Sequence, residues 1–146
     1  EDKPFVEEQK SKLAKAGYSN YCAFHPNIKR EDKLTFLRDL SVFSVPSRYP
    51  EAFGLYVVES MAAGTPVVLP KSGAFPEIVE DTNGGIIYED NTPDALARAI
   101  EKLLQDINGL SEMGGAGCEA VLHKYSNEHL AHSLIDNILA PALASF

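Results

Sequence analysis

The chain has no tryptophan, only two cysteines and only two methionines among its 146 residues. Cys22 and Cys118 are far apart and do not have the spacing of metal ligands, so we expect reduced thiols in a reducing, cytoplasmic compartment. No apolar run approaches the roughly 20 residues that cross a bilayer, and the first residues are charged rather than signal-like. The sequence therefore predicts no integral membrane segment.

Basic charge is also scarce. The chain has 13 lysines and arginines and 21 aspartates and glutamates, and so its net charge is −8. This argues against nucleic acid or an anionic membrane as the principal partner, because both are bound by clustered basic residues. An apolar share of 45% and a charged share of 23% are typical of a globular protein, and the length fits one ordinary domain.

Short β-prone runs alternate with segments of helical periodicity along the chain. Strands are expected at 21–24, 42–45, 66–69 and 85–88, and helices at about 5–16, 31–40, 54–63, 75–79, 93–104, 110–125 and 128–139. Asn91 or Thr92 is expected to cap the helix that Pro93 opens, with an inward stripe of Leu96, Ile100, Leu103 and Leu104. Single strands separated by helices predict an α/β fold, with a parallel, doubly wound, Rossmann-like sheet covered by helices on both faces.

The stretch Ser47–Pro66, SRYPEAFGLYVVESMAAGTP, organises the rest of the chain. It follows a predicted buried strand, begins as a polar loop and continues as a helix that Gly64 and Pro66 should end. In open α/β sheets the junction of strand, loop and helix N-terminus binds anions, because free N–H groups and the helix dipole point there.

Two carboxylates flank this predicted anion site. Glu51 precedes the helix, and Glu59 is the single charged residue between Gly54 and Thr65, with seven residues separating the two glutamates. A carboxylate on an apolar helix needs hydrogen-bond donors, which the hydroxyls of a ligand would supply. The alternative is that Glu51 complements the helix dipole while Glu59 reaches backbone N–H groups or solvent.

Four sequence blocks occur together in a characteristic order. They are Val45-Pro46-Ser47, the segment from Glu51 to Val68, Gly73-Ala74-Phe75-Pro76-Glu77-Ile78-Val79, and Asn83-Gly84-Gly85-Ile86-Ile87-Tyr88. The second block contains two glutamates separated by seven residues, Glu51 and Glu59, which is the pattern E-x7-E. The third block resembles the sequence pattern G-x-P-E-[IV], and the fourth resembles N/T-G-x-L-[VY]. From about Phe5 to Lys124 the chain resembles the retaining, nucleotide-sugar-dependent glycosyltransferases of group 1, family four, which have the GT-B fold.

The resemblance implies roles for residues of the second block. Glu59 would accept hydrogen bonds from the ribose hydroxyls, and Glu51, as the catalytic glutamate, would contact hydroxyls of the donor sugar. The backbone N–H groups of Phe53, Gly54 and Leu55 would face the diphosphate.

Further contacts are expected from other loops. His25 and Pro26 would lie near the nucleobase, and Arg48 would pair either with a phosphate or with Glu51. No metal and no cofactor besides the nucleoside diphosphate sugar is implied.

The resemblance also implies that residues 1–146 are one partial domain, the carboxy-terminal, donor-binding half of GT-B, with a helical tail at about 109–144. The family's first two strands, its phosphate-binding Arg and Lys and its amino-terminal acceptor-binding domain have no counterpart here, so this piece alone is expected to be inactive. Unpaired sheet edges would then favour a homodimer.

Two other functions remain open. A related GT-B sugar phosphorylase or synthase would share the donor site. A non-catalytic nucleotide-binding or protein-interaction module of Rossmann-like shape would tolerate loss of both glutamates, and so Glu51→Ala and Glu59→Ala variants would distinguish it from an enzyme.

Overall fold

A computed structural model of the chain describes residues 3–143. The helices are α1 (Lys3–Lys15), α2 (Arg30–Arg38), α3 (Leu55–Ala62), α4 (Phe75–Thr82), α5 (Pro93–Gln105), α6 (Ile107–Lys124), α7 (Asn127–Leu134) and α8 (Ala140–Leu143), with a 3-10 turn at Ser19–Tyr21 and a π turn at Ile135–Leu139. The strands are β1 (Phe43–Ser44), β2 (Val67–Pro70) and β3 (Gly85–Tyr88). The chain forms two compact units, one up to Lys33 and one from Leu34 onward, and the second contains the sheet.

The three strands form a parallel sheet in the order β1-β2-β3. In register, Phe43 pairs with Val67, and Val67 with Gly85. Because the strands run in the same direction, their carboxyl ends lie along one edge, from which the loops to α3, α4 and α5 leave. The predicted parallel α/β architecture is confirmed.

The core is divided between the two faces of this sheet. On one face, Val67 and Leu69 of β2 pack in a cluster with Phe75 and other buried residues of α3, α4 and α6. On the other face, Val68 packs with Leu103 of α5. Successive strand side chains point to opposite faces, so a fully buried β2 requires helices on both sides, as the sequence predicted.

The prediction of a strand at 21–24 is wrong. Ser19–Tyr21 forms a 3-10 turn, and although Cys22 has extended backbone angles (φ −124°, ψ 127°), no residue of 3–143 pairs with this segment in a sheet. A strand is stabilised by a hydrogen-bonded neighbour and by burial of its side chains. Tyr21 is instead 84% exposed.

The helix ends follow the local signals in the sequence. Thr92 caps α5 by accepting a hydrogen bond from the Ala95 N–H at 3.2 Å, and Gly64 has φ +84° just after α3. The inward stripe of α5 is correct at Leu103 but wrong at Leu104, which is 46% exposed. Each residue turns a helix by about 100°, so a side chain next to a buried one leaves the apolar face.

Helix α6 approaches α3 closely through glycine. A Cβ atom added at Gly114 would lie 2.4 Å from the carbonyl oxygen of Gly64, and one added at Gly117 would lie 2.7 Å from the Cα of Gly84. These contacts hold α6 against the end of α3 and the start of β3.

Thr65 ties α2 to the loop before β2. Its hydroxyl donates to the carbonyl oxygen of Leu37 at 2.6 Å, and the side chain is buried. Thr65→Val should lower the free energy of unfolding by about 1 kcal/mol, because a buried hydrogen bond is lost although the Leu37 carbonyl oxygen keeps the Leu40 N–H at 3.1 Å. Thermal unfolding measures this, with Thr35→Val on the exposed side of α2 as the control. Equal effects of the two substitutions would contradict a role for this bond.

Two kinds of feature are absent from residues 3–143. None of the helices in this range combines the length and the apolar character needed to span a membrane. Within the same residues, no three or more His, Cys, Asp or Glu side chains gather closely enough to hold a metal ion. In the described sheet β1 and β3 are the edges, and pairing of two copies through such an edge stays a prediction.

Candidate functional site

The candidate site lies where β1 and β2 end. The loop after β1 carries Glu51 and leads into α3, and the loop after β2 carries Gly73 and leads into α4. The two loops are joined by a hydrogen bond from the Ala74 N–H to the Glu51 carbonyl oxygen, at 2.9 Å. Crevices outside the carboxyl ends of parallel strands are where open α/β sheets bind ligands.

Gly54 shapes the start of α3. This residue is buried and adopts left-handed backbone angles, φ 77° and ψ 54°, which cost a residue with a side chain about 1–2 kcal/mol. An added Cβ atom would lie 3.1 Å from Cε1 of Phe75 and 3.4 Å from Cγ of Glu51. The neighbours that favour glycine at this position are therefore Phe75 and Glu51, and an approach of the diphosphate to the Gly54 N–H stays a prediction.

The Glu51 carboxylate lies over the amino-terminal end of α3. Its Oε1 accepts a hydrogen bond from the Ala52 N–H at 3.0 Å, and its Oε2 accepts one from the Tyr56 hydroxyl at 2.5 Å. The pKa of Glu51 is lowered because the Tyr56 hydroxyl donates to its charged form, and to a smaller extent because the nearby backbone N–H groups of Ala52, Phe53 and Gly54 stabilise that form. Burial and the adjacent carboxylate raise the pKa of Tyr56 to about 12.

This geometry agrees with the alternative that Glu51 complements the dipole of α3, but it leaves acceptor positions on the carboxylate unused. A carboxylate offers about four acceptor positions, and Glu51 is half-buried rather than enclosed. The residue is therefore an ionised acceptor that stays accessible to the hydroxyl groups of a ligand.

Glu59 lies half-buried in the middle of α3, between the buried residues Val58 and Ser60. It is four residues beyond Leu55, which corresponds to a rise of about 6 Å along the helix. Tyr56 and Glu59 are three residues apart and so share one side of α3. That side begins at Glu51, because the Tyr56 hydroxyl reaches back to it.

Phe53 and Leu55 flank the start of α3 and are exposed. The Phe53 side chain is 47% exposed, and its ring centroid is 6.3 Å from that of Tyr125. Leu55, the first residue of α3, is 62% exposed. The first N–H groups of a helix have no intrahelical acceptor, and this is why the N–H groups at the start of α3 are predicted to face an anion.

Arg48 lies towards β3 and α5. It is exposed and lines a cavity of about 350 Å³ with residues that include Tyr88, Asn91 and Leu96. Within residues 3–143 no ion pair joins Arg48 to Glu51, so that alternative is not observed. The Asn91 side-chain amide donates to the Ser47 carbonyl oxygen at 2.7 Å and links the loops after β3 and β1.

His25 and Pro26 belong to the first compact unit. Both are exposed, and with Val6, Phe24 and Asn27 they line a cavity of about 340 Å³. A contact of His25 and Pro26 with a nucleobase stays a prediction.

Tyr56 is a residue of the candidate site that was not predicted from the sequence. A half-buried tyrosine needs a partner for its hydroxyl, and Tyr56 is the second residue of a helix that is otherwise apolar apart from Glu59 and Ser60. Helical side chains point towards the amino terminus, which directs this hydroxyl towards the loop before the helix, where Glu51 lies. That direction was the one available signal.

The parallel sheet with helices on both faces places the chain in the α/β class, and the paired loops with Glu51 lie at the sheet edge where proteins of that class bind ligands. Comparison with protein families gives the particular family. The model of the family described as "Glycosyl transferases group 1" matches residues 2–119, and so the chain belongs to that family.

Individual glycosyltransferases agree with this assignment. The chain is 36% identical over 103 residues to a D-inositol 3-phosphate glycosyltransferase of Streptomyces griseus, a match that covers 70% of this chain and 22% of that protein. It is 27% identical over 139 residues to a GDP-mannose-dependent alpha-(1-6)-phosphatidylinositol monomannoside mannosyltransferase of Mycobacterium tuberculosis, with coverages of 91% and 36%.

A solved structure shows the same fold. Anabaena HepE, crystallised in complex with UDP, superposes with a TM-score of 0.80 at 23% identity, over 99% of this chain and 38% of that one. The fold is that of the GT-B glycosyltransferases, as the sequence predicted. The chain spans less than two fifths of the length of each of these three proteins.

Proposed function

We propose that this chain binds a nucleoside diphosphate sugar at the start of α3, as the donor-binding part of a retaining glycosyltransferase. The observation that carries the proposal is the placement of Glu51 and Glu59 at one helix whose amino terminus lies at the carboxyl edge of the sheet. Membership of the glycosyltransferase family supports it. So do the GDP-mannose dependence named for the mycobacterial relative and the UDP bound to HepE.

Each group at the start of α3 suits one part of such a donor. Glu59 would accept hydrogen bonds from the two ribose hydroxyls, since a carboxylate matches a vicinal diol. The N–H groups of Phe53, Gly54 and Leu55 would face the diphosphate, aided by the helix dipole. Glu51 would receive hydroxyls of the transferred sugar with the acceptor positions that Ala52 and Tyr56 leave open.

The charge of the chain limits the affinity of this site. The net charge is −8, and the ionised Glu51 lies beside the amides proposed for the diphosphate. Charge-assisted bonds from Arg or Lys make the strong contacts to phosphate, and we propose that these come from residues outside the chain. The acceptor-binding domain would also be supplied from outside, in a cytoplasmic enzyme, so the chain by itself should bind the donor weakly and not turn it over.

The test is ligand-observed NMR of the chain with UDP, GDP and ADP at millimolar concentration, repeated with the Glu59→Gln variant. We expect one nucleotide to bind best and the substitution to weaken it by roughly 10-fold or more, because a hydrogen bond to a charged group contributes about 1.5–3 kcal/mol. Glu101→Gln, on the exposed side of α5, is the matched control and should bind as the unsubstituted chain does.

Two results would contradict the donor site. One is a nucleotide that binds equally well to the Glu59→Gln variant, which would place it elsewhere. The other is silence from all three nucleotides, both with this chain and with a longer one that supplies the upstream phosphate-binding residues.

A further inference from the structure

The Glu51 residue is held from several directions at once. Its carbonyl oxygen accepts from the Ala74 N–H at 2.9 Å, and the backbone of Gly73 lies so close that an added Cβ atom would be 2.2 Å from that same oxygen. Its Cγ lies 3.4 Å from where a Cβ atom of Gly54 would be. Backbone and stem are therefore fixed, and the orientation of the carboxylate depends on what its two oxygens contact.

The partner of Oε2 is itself well fixed. Tyr56 is half-buried at the second position of α3 and packs against the core cluster under that helix. Its ring centroid is 6.4 Å from that of Phe43 on β1, with 55° between the planes. A ring held by a strand and a helix offers its hydroxyl at a defined point, here 2.5 Å from Oε2 of Glu51.

We infer that Tyr56 is the positioning residue of the donor site, and that its hydroxyl holds the Glu51 carboxylate in the orientation in which it receives hydroxyls of the donor sugar. The part of this inference that concerns the sugar rests on the function proposed above. The part that concerns Glu51 stands on the contacts within the chain. Tyr56 acts through Glu51 and is not itself expected to touch the sugar.

The charge state of Glu51 follows from the same contact. A hydroxyl that donates to an ionised carboxylate stabilises the ionised form and so lowers the pKa of the carboxyl group. The hydrogen bond from Tyr56 makes the largest contribution to the lowered pKa of Glu51. In the neighbouring loop the charged side chain is Lys71, whose ammonium pairs with Glu89 at 3.0 Å. Glu77, in the first turn of α4, is exposed.

The first experiment follows the Glu51 carboxyl carbon by 13C NMR during a pH titration of the chain, with the resonance assigned by Glu51→Gln. In Tyr56→Phe the pKa of Glu51 should rise, since its largest stabilising contact is removed while the ring still packs. Tyr49→Phe is the matched control, because Tyr49 lies in the same loop region and is 81% exposed. It should leave the titration unchanged.

The second experiment compares UDP with UDP-glucose and GDP with GDP-mannose, on the unsubstituted chain and on Tyr56→Phe. We expect the affinity for the free nucleotide to change by less than about 2-fold, and that for the nucleotide sugar to fall by roughly 5- to 10-fold, as for a misplaced hydrogen bond to a charged group. The loss of sugar affinity on acidification should also begin at higher pH in Tyr56→Phe, because Glu51 then protonates earlier.

The two readouts separate the inference from the proposed function. An unchanged Glu51 titration in a folded Tyr56→Phe chain would overturn the positioning role. If Tyr56→Phe weakened the binding of the nucleotide and of the nucleotide sugar equally, the inference that Tyr56 orients Glu51 for the sugar would be overturned. A shifted titration would uphold the positioning contact even if none of the four ligands bound, and the donor site would be rejected if a longer chain with the upstream phosphate-binding residues also bound none of them.

Discussion

Gly114→Ala in α6 is expected to lower the free energy of unfolding by about 2 kcal/mol. The new Cβ atom would lie 2.4 Å from the carbonyl oxygen of Gly64, and overpacking of this kind costs about 3 kcal/mol when backbone must move. The better helix propensity of alanine offsets about 1 kcal/mol of this cost. For a chain of this size the melting temperature should fall by about 6 °C, measured by circular dichroism or calorimetry.

The neighbouring position provides the control. Gly115 lies in the same helix, and an added Cβ atom there has no heavy atom within 4 Å. Gly115→Ala should therefore stabilise the chain by about 1 kcal/mol, from helix propensity alone. Adjacent glycines in one helix are thus expected to respond with opposite sign. A loss at both positions, or at neither, would show that α6 does not pack on the end of α3 through Gly114.

Gly73→Ala is expected to cost about 3 kcal/mol and to remove donor binding as well. Gly73 has φ +55°, which costs a residue with a side chain about 1–2 kcal/mol. Its Cβ atom would lie 2.2 Å from the oxygen and 2.4 Å from the nitrogen of Glu51, so the Glu51 backbone must shift. Displacement of the residue that Tyr56 holds should weaken nucleotide-sugar binding beyond the effect on folding. Denaturant unfolding and the NMR binding assay measure the two effects.

Gly64→Ala is the control that measures the cost of a positive φ without any displacement of the Glu51 backbone. Gly64 also has a positive φ, +84°, but an added Cβ atom there meets no heavy atom within 4 Å. This variant should show the backbone cost alone, about 1–2 kcal/mol, and bind the donor as the unsubstituted chain does. If Gly73→Ala were no more harmful than Gly64→Ala in either assay, the close packing of Gly73 on Glu51 would be disproved.

Most helices, the parallel sheet and the family were predictable because their signals are local in the sequence. Thr92 before Pro93 fixes the start of α5, and Gly64 after Ala63 fixes the end of α3, since a cap depends on neighbouring residues. The spacing of Glu51 and Glu59 is a property of the sequence, as is the order of the blocks around them. The net charge of −8 also argued against nucleic acid and anionic membranes as partners without any structure.

The failures arise where a segment depends on residues far away in the chain. Tyr21–Phe24 has the composition of a strand, but composition does not supply a paired neighbour, and the segment begins as a 3-10 turn. Leu104 fits the apolar pattern of α5 but faces outward, because the width of the buried stripe is set by what packs on it.

By itself, therefore, the sequence determined the order of the elements apart from the strand expected at 21–24, the helix ends, the acidic charge and the position of Glu51 at a strand–loop–helix junction. Tertiary structure alone decided that Tyr56 bonds to Glu51, that Gly73 packs on the Glu51 backbone and that α6 meets Gly64 through Gly114. The physical reason is the distance along the chain over which each interaction acts. Caps and periodicity act within a turn or two of chain, whereas a hydroxyl orients a carboxylate, or a glycine admits a neighbouring backbone, only where the folded path of the loops brings them within contact distance.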